Sequence, residues 1–176
     1  MAEKKGPSFI KAVLMAVGIL AVGIAITIGL SMVGFGSWLL ILTLVYFLSV
    51  EQLNYTMVPH VVVGSFVGIT YGFGINLATM ALGFVGVGAN ASTIGLVVYL
   101  VLVVFAIACN VANKLPVLVN KCMWFIMIAF MIPGANDMKY LVPDYAVWLI
   151  TSVIVIILGM VIKKAASRSN KLNTPA

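Results

Sequence analysis

The sequence predicts an all-α integral membrane protein of six transmembrane helices, arranged as two inverted three-helix repeats, each with a short or broken middle helix. Three observations predict it. First, 64% of the 176 residues are hydrophobic and only 8% are charged, against about 45–50% and about 25% in an ordinary soluble domain. Second, the apolar segments run long, short, long, then long, short, long. Third, a Val-Pro pair with a polar approach occurs in each half: Val58-Pro59, then Val142-Pro143.

Spanning about 30 Å of hydrocarbon takes about 20 helical residues at 1.5 Å each. Phe9 to Leu30 meets that length, and Ser31 to Ser37, with Gly34 and Gly36, breaks it. The charged start resembles that of a signal peptide, but the apolar run is too long and lacks a small-x-small cleavage site, so it reads as a retained first helix. Trp38 to Val50 is apolar but short, a helix of about 20 Å. The polar stretch Glu51-Gln-Leu-Asn-Tyr-Thr-Met-Val-Pro-His60 follows. Val61 to Phe84 reads as a full span and closes a first repeat over residues 9–84, after a terminus of residues 1–8. Residues 85–92 carry Gly86, Gly88 and Asn90 and read as the connecting loop.

The second repeat covers residues 93–162. Thr93 to Ala112 is long, and Asn113 to Lys121 is a charged connection. Cys122 to Ile132 is short, about 17 Å as a helix. Pro133 to Asp137 breaks it, Tyr145 to Ile162 is the last span, and residues 163–176 form a basic, loose tail. Trp38 and Trp124 mark the two short helices. In both copies Pro falls where a long helix begins, and the first turn has no intrahelical use for the missing N–H.

Charge orients the chain. Lys4, Lys5 and Lys11 stand at the start and Lys163, Lys164, Arg168 and Lys171 at the end, so both termini are expected on the cytoplasmic side. Six crossings put Lys114 and Lys121 there too, whereas re-entrant short helices leave four crossings and those lysines outside. Three spans per half invert the second half relative to the first. Inverted repeats with interrupted helices in matching places are the plan of many transporters, with the solute site at the repeat interface.

Several residues are candidates for a substrate pathway, each with an ordinary structural reading beside it. Glu51 is either a carboxylate attracting cations or protons into a water-filled cavity or a loop residue at a helix end. His60 is either a pH-responsive group or a capping or interfacial histidine just after Pro59. Gln52, Asn54 and Thr56 are either solute ligands or ordinary loop polarity. Gly64, Gly68 and Gly72 recur every four residues on one helical face, the spacing of close helix packing, and Asn76 follows on the same slowly drifting stripe. That face either packs against a helix or subunit or lines the passage. Asn110, Thr43 and Asn113 are the remaining polar groups in or near spans. Asn136, Asp137, Lys139 and Asp144 gather before the last span, as a vestibule, a Lys139–Asp137 pair or a cap. Tyr71, with Tyr46 and Phe73, is a candidate constriction; the aromatics at span ends read as interfacial anchors.

Other classes are excluded or disfavoured. The +6 charge sits at the ends and in one loop, with no basic stripe for nucleic acid. One histidine and no nucleophile, metal or phosphate motif argue against an enzyme, a metal site or a cofactor. Cys109 and Cys122 lack metal spacing and a disulfide framework and read as buried thiols. Asn54-Tyr55-Thr56 and Asn90-Ala91-Ser92 match the glycosylation triplet, a weak signal.

The stretch from Phe125-Ile126 through Phe130, Gly134, Asp137, Lys139 and Leu141-Val142-Pro143 to Ala146, with Ser37-Trp38 and Tyr46-Phe47 in the first half, resembles a family of small bacterial inner-membrane proteins known only as a domain of unknown function. The resemblance implies a bacterial inner membrane and brings no activity or functional residues. The expected function is a channel or permease for a small polar solute, in a homo-oligomer or alone. The competing reading is a membrane scaffold that binds a partner through its glycine face.

Overall fold

The computed structural model describes residues 9–32, 38–51, 54–87, 90–130, 132 and 135–172, and all regular structure among them is helical. The helices are α1 Phe9–Met32, α2 Trp38–Ser49, α3 Val58–Gly72, α4 Gly74–Phe84, α5 Ala91–Val111, α6 Lys121–Ala129 and α7 Leu141–Leu172. α5 and α7 are long and apolar enough to cross a bilayer, and α3 with α4 makes a third such unit bent by 58°. Gln52 lies outside the described residues.

Three boundaries differ from the sequence reading. The span expected over Val61–Phe84 is broken at Phe73, between Gly72 and Gly74. A Cβ on Gly72 would meet the Phe130 ring, and one on Gly74 would meet the Tyr99 ring at 2.6 Å. Glycine at both places lets an aromatic from each neighbouring element press on the bend. Second, α2 and α6 are short as expected, but α6 ends at Ala129, before the expected Ile132. Third, α7 continues to Leu172, so most of the expected loose tail is helix.

Local chemistry sets the shorter turns. Asn54 caps the 3-10 turn Tyr55–Met57 by accepting from Thr56 N at 3.1 Å, and that turn runs directly into α3. Asp137 caps Met138–Tyr140 in the same way, accepting from Lys139 N at 3.1 Å, and that turn runs into α7. These two motifs stand 83 residues apart, so the Val-Pro pairs, 84 apart, are displaced by one position. Pro59 is the second residue of α3 and Pro143 the third of α7, both in the first turn.

The 83-residue interval also carries the burial. Leu39, Leu40, Thr43, Leu44 and Phe47 of α2 are buried, as are Cys122, Met123, Ile126, Met127 and Phe130 around α6. Val61, Gly64 and Gly68 of α3 correspond to Asp144, Val147 and Thr151 of α7, and all six are buried.

Side-chain contacts fix the directions. α2 and α6 are antiparallel: Trp38 packs on Phe130 with ring centroids 4.7 Å apart, and Tyr46 on Phe125 at 5.5 Å. α3 and α6 are parallel, with Gly64 against Asn120, Gly68 against Met123 and Ile126, and Gly72 against Phe130. α3 and α7 are antiparallel, with Val58 on Gly159, Trp148 Nε1 donating to Val62 O at 3.0 Å, and the Thr70 and Tyr145 hydroxyls 2.8 Å apart. α5 lies antiparallel along α4, Gly74 beside Tyr99 and Thr79 beside Gly95, while α1 lays Gly23 against Leu44 and Leu40 of α2.

Candidate functional site

These directions sort the polar residues into two ends. Glu51, Asn54 and His60 lie at one end with Lys121 and the stretch of α7 near Lys163. The opposite end holds Trp38, Asn136, Asp137 and the start of α7 with Asp144. The two stretches that the sequence pairs therefore lie at opposite ends of the bundle.

At the first end, Glu51 follows α2, whose chain turns back as Val50 N donates to Tyr46 O at 2.9 Å. The buried Tyr46 hydroxyl donates to Glu51 Oε1 at 2.9 Å, leaving the carboxylate half-buried and tied to its own helix. Asn54 is exposed and spends its side-chain oxygen on the Thr56 N–H and hydroxyl. His60 is the third residue of α3, half-buried, with Nδ1 buried and without a hydrogen-bond partner.

The hub of this end is a residue that sequence reading assigned to a mere charged connection. Asn120 accepts from Met123 N at 3.1 Å to cap α6, and its Nδ2 donates to His60 O at 3.0 Å and Val117 O at 2.8 Å. It sits where a Cβ on Gly64 would be, so Gly64 exists to admit it. The available signal was an Asn one place before an apolar helix, a strong N-cap preference. Asn120→Ala is expected to cost about 1–2 kcal/mol, a lost cap plus the lost hydrogen bonds to His60 O and Val117 O. Asn120→Asp keeps the cap but loses both Nδ2 bonds, so thermal unfolding in detergent should place it between wild type and alanine.

At the opposite end, Asn76 Nδ2 donates to Asn136 O at 2.7 Å, stitching α4 to the turn before Asp137. Asp137 and Lys139 pair at 3.0 Å in solvent, and the Lys139 ammonium holds the Asp137 carboxyl below its ordinary value. Asp144 is different. It lies inside α7, 1% exposed, and its Oδ2 is buried with no hydrogen-bond partner.

Three further candidates belong to neither cluster. Tyr71 donates to Leu102 O at 3.2 Å, bonding α3 to α5. Asn110 is exposed on α5. The Gly64, Gly68 and Gly72 face is covered by α6 of the same chain, so in this fold it neither lines a passage nor is open to a partner.

Between the two ends the centre is packed shut. Phe47, Phe73, Phe130, Leu39, Ile69, Ile126 and Val147 are all fully buried. An apolar groove of about 450 Å³ lies between Trp38, Ile41 and Leu42 of α2 and Ala129, Ile132 and Ala135, and a smaller one of about 240 Å³, lined by Tyr55, Pro59, Gly159 and Lys163, opens at the first end. No group of three or more His, Cys, Asp or Glu side chains is arranged to hold a metal among the described residues.

The composition and the fold together define an all-helical membrane protein. Comparison with protein-family models, curated proteins and solved structures finds no match for the chain.

Proposed function

We propose that the chain is a permease for a small polar solute, built from two inverted three-helix halves that open the bundle at one end and then at the other. The observation that carries this reading is the 83-residue recurrence of an Asx-capped turn, a following helix and a buried face, with the corresponding helices α2 and α6, and α3 and α7, antiparallel. A two-fold axis in the membrane plane produces that relation, and it is a common architecture for alternating access. Lys114, Lys121, Lys163 and Lys164 gather toward one end, which makes that end cytoplasmic under the positive-inside rule. Bacterial inner-membrane residence is what the resemblance of the Phe125 to Ala146 stretch implies.

The sealed centre argues for a gated permease over an open channel. Moving solute requires the aromatic seal to part, and the 58° bend between α3 and α4 supplies a place for the helix to flex. The scaffold reading loses its main support, because the glycine face already has an occupant.

Single cysteines in a chain lacking Cys109 and Cys122 test the arrangement. Thr56→Cys and Lys139→Cys should react with a membrane-impermeant maleimide from opposite sides of sealed proteoliposomes. Uptake is then assayed with neutral, cationic and anionic small solutes. Labelling of both positions from the same side, or no uptake of any solute, would overturn the proposal.

A further inference from the structure

We propose that Asp144 is a proton-binding site: a neutral carboxylic acid while its end of the bundle is closed, and a carboxylate once that end admits water. This deepens the permease reading by naming the proton as the coupled ion. The protonation itself stands independently of any transport.

The carboxyl lacks the donors and counter-ion that keep a buried carboxylate ionised, and only the N-terminal dipole of α7, in whose first turn it stands, favours the charge. Asp144 is 1% exposed, and Oδ2 is buried and accepts nothing. A carboxylate removed from water without donors or a counter-ion takes up a proton instead. Among the described residues no cation is paired with it. In the preceding turn, Lys139 is exposed and engaged with Asp137 at 3.0 Å, and Tyr140 is exposed. In α7, the Tyr145 hydroxyl is engaged with Thr70. α2 carries no charged residue, and its Tyr46 lies toward the other end with Glu51. In α3, His60 lies at the far end and Tyr71 is bonded to α5. α4 has no titratable group, and Lys121 and Cys122 of α6 are at the far end beside His60 and Val61.

Two structural roles fail to account for the residue. Asp at a helix start is normally a cap, but here Asp137 caps the 3-10 turn that leads into α7, and Asp144 Oδ2 bonds no free N–H. Nor does packing call for a carboxyl: 83 residues earlier the same place in α3 is held by Val61, fully buried. A buried ionisable group in a membrane protein, with no structural task, is the usual sign of ion or proton handling. The chemistry balances simply. Opening releases the proton to water at that end, and closing requires one to return and form an O–H bond on the carboxyl.

Infrared spectroscopy in lipid bilayers tests this directly, because the chain has only four side-chain carboxyls: Glu3, Glu51, Asp137 and Asp144. A protonated-carboxyl C=O band that shifts in D₂O is expected at pH 7. It should vanish in Asp144→Asn and persist in the triple variant Glu3→Gln/Glu51→Gln/Asp137→Asn. If Asp144→Asn does not fold, the triple variant decides alone. Absence of the band at pH 7 in the triple variant, or its survival in folded Asp144→Asn, overturns the proposal. A band that behaves as expected in a protein that takes up no solute removes the permease reading and leaves the proton site standing.

Discussion

Phe130→Ala should lower the free energy of unfolding by about 3–5 kcal/mol, the usual cost of deleting a buried aromatic ring, and should make the bundle leaky. Phe130 is fully buried just after α6. Its ring lies 4.7 Å from that of Trp38 on α2 and 5.1 Å from that of Phe73 at the bend, and it fills the space that Gly72 leaves open. One side chain thus joins α2, α3 and α6. Phe47, 83 residues earlier and equally buried, closes the corresponding place in the first half. Removing the ring leaves a void among residues that cannot all collapse into it. Phe130→Leu retains most of the contact and should cost less than half as much. Reversible unfolding in detergent gives the stability. Dye release and small-solute leak from proteoliposomes give the second readout. If Phe130→Ala unfolds like wild type, the ring is not a keystone. If the variant is destabilised but no leakier, the aromatic cluster is packing and not a seal.

The parts of this fold that were readable from the sequence are those that hydropathy and spacing encode. Composition alone indicates helices in a membrane, and glycines at 64, 68 and 72 indicate a face built for close approach. The partner of that face was not readable, because small residues announce proximity without saying to which helix; α6 is found only when the chain is folded. The break at Phe73 escaped because Val61–Phe84 is almost continuously apolar, and a bend at Gly72-Phe73-Gly74, where the Phe130 and Tyr99 rings pack, leaves no trace in hydropathy. Asn76 looked like a group for a passage because it is polar on an apolar helix. Its amide instead satisfies the carbonyl of Asn136, a bond across 60 residues. The Val-Pro pairs pointed to the right turns but in a register one residue off. The Asx caps at Asn54 and Asp137, which fix where each turn starts, stand 83 residues apart. Asp144 looked like one more residue of a polar turn, and only its place inside α7 distinguishes it from the exposed Asp137.

Gly68→Ala should destabilise the protein even though alanine is the better helix former. The substitution gains up to about 1 kcal/mol of helix propensity. Against that, the new methyl would stand 2.7 Å from the backbone carbonyl oxygen of Met123 and 2.8 Å from Ile126 Cβ. Neither neighbour is the free end of a flexible side chain, so relief requires α6 to move away from α3 as a unit. That movement loosens the Asn120 clamp at one end of the contact and Phe130 at the other, because the three glycines share one partner helix. Overpacking of this kind costs about 1–3 kcal/mol, so a net loss is expected, and Gly68→Leu should prevent the two helices from docking. Gly29→Ala on α1 is the control, since nothing lies within 4 Å of the added methyl; it should be neutral or slightly stabilising. The decisive comparison is the pair of melting temperatures in the same detergent. If Gly68→Ala melts at or above Gly29→Ala, then α3 and α6 are not held at the contact distance described here.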